Sequence, residues 1–174
     1  MKRFFIFLDI DGVMYDWDYI VKEVDSGKTE LRDLKHYKPE SVQALNYLME
    51  ELRKDHRVKL VISSTMRRQL ADITRILYNN GVKLKGAVDA TLVSNHQEFR
   101  ALEIISYLET RTFDNEDYGL VVIDDEYFDF KKYFTQDQII KTEMFHSALS
   151  MDMVKNFLKS YRAKQIQEIQ IENN

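Results

Sequence analysis

The sequence predicts an α/β domain built on a mostly parallel sheet. Short apolar runs alternate with segments of helical periodicity, spaced as βαβ units are. No Pro-, Gly- or Ser-rich linker interrupts the 174 residues, which hold one Pro and five Gly. A chain of that length is expected to fold as one domain with a proper core.

The first run, FFIFLDI over residues 4–10, has the continuous apolar character of a fully buried strand. Residues 13–38 are mixed and polar, with turn signals at Asp25-Ser26-Gly27. Pro39 suits the first turn of a helix to about residue 54, along which Val42, Leu45, Leu48, Met49 and Leu52 recur at helical spacing. VKLVIS, 58–63, is a second strand. A helix over about 67–79 follows, with Leu70, Ile73, Ile76 and Leu77 on one face and Gly81 as its stop. Residues 82–94 are weakly extended, and 98–110 form a helix carrying Leu102, Ile105 and Leu108. LVVID, 120–124, is the third clear strand and QIIKT, 138–142, a short fourth. Ser150 suits the N-cap of a final helix to about 163. One domain is expected over 1–160, with 161–174 a helical extension or tail.

Composition narrows the chemistry. The net charge of −4 gives no basic footprint for long nucleic acid. The absence of cysteine excludes disulfides, thiolate catalysis and cysteine zinc sites. The apolar run Phe4 to Leu8 meets Asp9 too soon for a signal core, and no stretch has the length of a membrane span. The expectation is a soluble cytoplasmic protein with no membrane partner.

In parallel α/β sheets, ligands bind beyond the carboxyl ends of the strands. Those ends are polar here: Asp9-Ile10-Asp11-Gly12, then Ser63-Ser64-Thr65, then Asp124-Asp125. Asp is poorly suited to strands, and neighbouring carboxylates repel unless a positive charge sits among them. Asp9, Asp11, Asp124 and Asp125 offer only oxygen ligands, which suits Mg²⁺. Asp9 can attack phosphorus to give an aspartyl-phosphate. Asp11 can protonate the leaving oxygen and then activate water. Gly12 allows a tight backbone turn beside the phosphate. Ser63 supplies a hydroxyl and the Ser64 region backbone N–H groups for phosphate oxygens. Arg67, in the first turn after that loop, and Arg100, near the start of the next helix, are the candidate substrate cations, with Lys83, Lys85 or Lys131 as alternatives to Arg100. A solvated turn for the acids, or a helix cap for Ser63, is the plainer reading of each residue alone.

Taken in order, LDIDGV, VISS, Arg100 and VVIDD resemble the four motifs of the haloacid dehalogenase (HAD) superfamily. The resemblance covers roughly residues 3–158. It implies a Rossmann-like three-layer sandwich, a Mg²⁺ requirement and phosphoryl transfer through Asp9. It also implies Asp11 as acid/base, Ser63 as phosphate ligand, Arg100 at the basic position, and Asp124 with Asp125 completing the metal site. IDDEYFD, RALEIISYL and HSALSMDMVKNFL are similar to the small HAD domains of RNA-repair and phage or bacterial hypothetical proteins. Asp11 favours phosphatase or phosphotransferase over dehalogenase chemistry.

Superfamily members often carry a large cap, but residues 13–38 allow only a small flap. An open site suits a phosphorylated nucleic-acid end or protein, or a small molecule enclosed by another subunit. Tyr15, Trp17 and Tyr19 in the flap either stack on a base or pack on the core. His36, His56, His96 and His146 are scattered, and His96 is the one nearest Arg100. Asp129 suits a helix or turn; Asp114, Glu116 and Asp117 suit a solvated loop.

Overall fold

The computed structural model describes residues 1–27, 36–92, 99–112, 117–126 and 130–172. Five strands form one sheet: β1 (Lys2–Leu8), β2 (His56–Ile62), β3 (Asp89–Ala90), β4 (Tyr118–Asp124) and β5 (Ile139–Lys141). Their order is β3-β2-β1-β4-β5, and every pairing is parallel. Among the described residues five α-helices accompany them: α1 (Trp17–Asp25), α2 (Pro39–Leu52), α3 (Leu70–Asn79), α4 (Arg100–Arg111) and α5 (Met151–Glu172).

The two faces of β1 bury against different layers, because successive side chains alternate across a sheet. Phe4, Ile6 and Leu8 join a core with Leu45, Leu48 and Met49 of α2, Ile73 and Leu77 of α3, and Val154, Phe157 and Leu158 of α5. Phe5 and Phe7 join the other, with Ala101, Ile104, Tyr107 and Leu108 of α4. Phe7 meets Tyr107 edge to face at 5.7 Å. Phe4 through Leu8 are each buried; at roughly 1.5–3 kcal/mol per large apolar side chain, this strand is the spine of both cores.

Several elements depart from the sequence expectation. The flap contains a helix, α1, whose N-cap Asp16 accepts the Tyr19 N–H at 2.9 Å. The extended region 82–94 provides only the two-residue β3 among its described positions. The helix after β2 opens with a 3₁₀ stretch, Thr65–Gln69, where Ser64 caps it through the Met66 N–H. The last helix, expected to about 163 with a helical extension or tail beyond, runs to Glu172, tied by Arg162 to Glu51 at 2.7 Å and by Lys164 to Asp137 at 2.9 Å. Among the described residues no helix is long and apolar enough to cross a membrane. His96, Asp129, Asp114 and Glu116 lie outside the described residues.

The sheet order reverses between β1 and β4. One connection leads from β1 outward to β2 and β3, and the chain then returns to the other side of β1. Such a switch point opens a crevice at the carboxyl ends of its two strands. Asp9 and Asp124 stand at that crevice.

Candidate active site

The ladder of backbone hydrogen bonds continues past the strand ends. Asp9 N–H donates to the Ile123 carbonyl at 3.0 Å, Ser63 N–H to Leu8 at 2.9 Å, and Thr91 N–H to Ile62 at 3.0 Å. Thr91, Ser63, Asp9 and Asp124 therefore stand in one row across four strands. Two-residue alternation puts Asp9 on the face of Phe5 and Phe7, Ser63 on that of Val61, and Asp124 on that of Val122. That is the face α4 covers, so the first residue of α4 hangs over the row.

That residue is Arg100. A cation at a helix N-terminus opposes the helix dipole, so helix formation does not explain it; the carboxylates below it do. Its Nη1 lies 2.6 Å from Asp124 Oδ2 and 3.1 Å from Asp9 Oδ2. The lysines weighed as alternatives are exposed, and Lys83 pairs with Glu50 at 2.7 Å.

Ligand oxygens of Asp9, Asp124 and Asp125 lie within 4.8 Å of one another. Ligands on one Mg²⁺ at about 2.1 Å sit at most about 4.2 Å apart, so small side-chain rotations bring the three onto a single ion. Three carboxylates against one guanidinium leave the cluster net negative. Asp9 Oδ1 is buried and accepts no hydrogen bond, a costly state that a cation relieves. The donor set fits a hard divalent metal.

Burial dominates the titration of these groups. It raises the Asp9 pKa to about 6, with Arg100 pulling the other way. Asp124 is raised well above the usual carboxylate range by burial and then by the charge of Asp9, again opposed by Arg100. Asp125 is raised by burial and by Glu126.

The carboxylate of Asp11 is not grouped with the other three. It accepts a hydrogen bond from the Tyr15 hydroxyl instead. Tyr15 is nearly buried and stacks on Tyr37 at 6.2 Å, whose N–H donates to Asn80 Oδ1 at 2.8 Å. Asp11 is thus oriented by a packed ring, separately from the cluster.

Gly12 has φ +67°, and a Cβ there would collide with the Asp125 carboxylate. Its missing side chain makes the room Asp125 occupies. Gly12→Ala is expected to lower stability by about 1–2 kcal/mol from the left-handed backbone alone. It should also displace Asp125 and shrink the rise in melting temperature on adding Mg²⁺. Thermal melts with and without the ion read both.

Ser63 Oγ is buried without a partner, whereas Ser64 Oγ caps the 3₁₀ stretch. Arg67, expected from sequence to reach substrate, is turned inward. Its Nη1 donates to the Ser64 carbonyl at 2.7 Å, and its Nη2 meets Glu103 Oε1 at 2.5 Å, both side chains being buried. The pair fastens the Ser63 loop to the first turn of α4, three residues from Arg100.

Asp16 was not singled out in the sequence. It is buried, and it ties the flap to Lys38 at 2.6 Å and to Ala148 N–H at 3.2 Å. Of the flap aromatics, Tyr15 packs and Tyr19 donates to the Tyr37 carbonyl at 3.2 Å. Trp17 stays 42% exposed, 6.3 Å from the exposed ring of Phe145.

A family model for the HAD domain in Swiss Army Knife RNA repair proteins matches residues 5–154. The chain belongs to that family. It is a small member of the HAD-like hydrolases, and the match spans the whole row of strand ends together with Arg100. No curated protein and no solved structure matches the chain.

Proposed function

We propose that this HAD domain is a Mg²⁺-dependent phosphomonoester hydrolase acting through an aspartyl-phosphate on Asp9. The observation that carries the reading is Asp9 Oδ1: a buried carboxylate oxygen with no partner, at the switch point of the sheet, beside an arginine held by the facing strand end. Asp9, Asp124 and Asp125 would hold the ion. When bound, it would neutralise charge on the phosphoryl oxygens.

The chain's own groups divide the remaining work. A carboxylate oxygen of Asp9 forms a bond to phosphorus as the ester P–O bond breaks. Asp11, held by Tyr15, gives its proton to the departing alkoxide. It then takes a proton from water as that water attacks the phosphorus of the intermediate, releasing inorganic phosphate and restoring Asp9. Ser63 and the backbone N–H groups of the following turn receive phosphoryl oxygens. Arg100 keeps Asp9 ionised and aimed. A non-catalytic phosphoryl-binding role would leave the oriented acid Asp11 without a task.

A nucleic-acid 3′- or 5′-phosphate end is the second reading of the substrate. It is favoured by the exposed Trp17–Phe145 pair, whose segments follow the carboxyl ends of β1 and β5 and which offers a stacking platform, and by the RNA-repair setting of the family. Phosphate release from an aryl phosphate, mononucleotides and oligonucleotide ends is the deciding experiment. Activity should vanish with EDTA and return with Mg²⁺. Turnover that is unaffected by chelation would remove the metal from the reading.

A further inference from the structure

Three adjacent strand ends each present a buried oxygen without a hydrogen-bond partner: Asp9 Oδ1 after β1, Ser63 Oγ after β2, and Thr91 Oγ1 after β3. The first two belong to the proposed phosphoryl site. The third does not belong to any of the motifs read from the sequence. We propose that the Thr91 hydroxyl is a second ligand for the transferring phosphoryl group, sharing one of its oxygens with Ser63. This rests on the phosphomonoesterase reading of the same site.

Register and parity place it. The Thr91 N–H bonds the Ile62 carbonyl, and the Ser63 N–H bonds the Leu8 carbonyl, so Thr91 stands beside Ser63 as Ser63 stands beside Asp9. Asp89, two residues earlier and thus on the same face, accepts from the Tyr107 hydroxyl of α4 at 3.0 Å. Thr91 therefore faces the α4 side, as Ser63 and Asp9 do. Neighbouring strands are about 4.8 Å apart. Two O–H···O bonds of about 2.7 Å span up to about 5.4 Å, so one anionic oxygen would bridge two hydroxyls that keep the strand spacing.

Thr91 is buried at a cost that a ligand would offset. It is 4% exposed, and leaving a buried hydroxyl unpaired costs stability. Valine has nearly the same shape and packs without that cost. Among the described residues, two other buried hydroxyls, Ser41 and Thr142, are also unpaired. They do not share the row: Ser41 lies in α2, and Thr142 follows Ile140 onto the opposite face. Among the described residues, only Thr91 continues the line of Asp9 and Ser63.

Thr91→Val separates a ligand role from a packing role, because the two predict opposite signs. The full-length variant is melted alone, melted with Mg²⁺ and graded inorganic phosphate, and assayed on an aryl phosphate. The expected result is a melting temperature at or above that of the wild type, phosphate affinity lower by about 10- to 100-fold, and kcat/KM reduced alongside. Thr91→Ser, which keeps the hydroxyl, should restore phosphate affinity. Thr91→Ala supplies the same readouts if the valine variant fails to fold. Unchanged phosphate affinity in Thr91→Val overturns the proposal, whichever way the melting temperature moves. A wild type that turns over phosphate esters while Thr91→Val matches it sinks this inference alone. A wild type that neither binds nor releases phosphate sinks the functional reading with it.

Discussion

Asp9→Asn is expected to abolish turnover, by at least about 10⁴-fold, while the folded protein remains intact or becomes more stable. An amide has the shape of the carboxylate but does not attack phosphorus. The structural cost is small because Arg100 keeps its shorter contact, 2.6 Å to Asp124. The gain is electrostatic. Burial raises the Asp9 pKa to about 6, so at pH 7 the metal-free fold holds a charge it disfavours, and asparagine has no charge to desolvate. Activity and stability should thus move apart, which a variant that merely misfolds does not do. Phosphate release and a thermal melt at pH 7 make the measurement. Acid-quenched wild type should also carry a phosphoryl adduct on the peptide containing residue 9, absent from the variant. Turnover within about tenfold of the wild type would show that the nucleophile lies elsewhere.

The strands and the site edge were legible because they rest on local rules. Phe4 to Leu8, VKLVI and LVVI are continuous apolar runs, and their polar ends follow from ligands binding where strands stop. Asp9, Ser63 and Asp124 line up from the sequence alone, since each is the acid or hydroxyl that closes an apolar run. The expected sheet was mostly parallel, and all five strands are parallel.

What escaped depends on partners distant in sequence. Arg100 was named as a candidate cation, but its partners Asp9 and Asp124 show only in the fold. The signal that singles it out is a cation where the helix dipole disfavours one. Arg67 appeared free to meet substrate, and its claim on Glu103 is visible only once α4 lies beside the Ser63 loop. Asp16 was hidden among the flap's other acids. It holds Lys38 and Ala148, and Ala148 is 132 positions away. Thr91 sat in a region of weak periodicity, and its place beside Ser63 comes from the pairing of β3 with β2 alone.

Arg100→Met tests that long-range assembly. Methionine keeps much of the aliphatic reach and removes the charge. Asp9 and Asp124 then face each other in a buried crevice with no counter-charge, and breaking a buried pair in this way costs about 3–5 kcal/mol. The pH dependence gives the loss its signature. Arg100 lowers both carboxyl pKa values in the native protein, Asp9 to about 6 and Asp124 to a value still well above the usual 3.8. Without it both rise further. An acid whose folded pKa exceeds its unfolded one holds more protons when folded, so stability falls as pH rises from the unfolded value to the folded one, then levels off. The difference in melting temperature between variant and wild type should therefore be small near pH 4 and grow as pH rises past 6. A divalent ion can replace the missing positive charge, so saturating Mg²⁺ should raise the melting temperature of the variant more than that of the wild type. A deficit independent of pH, with an equal response to Mg²⁺, would mean that Arg100 fills space and does not balance the charge of Asp9 and Asp124.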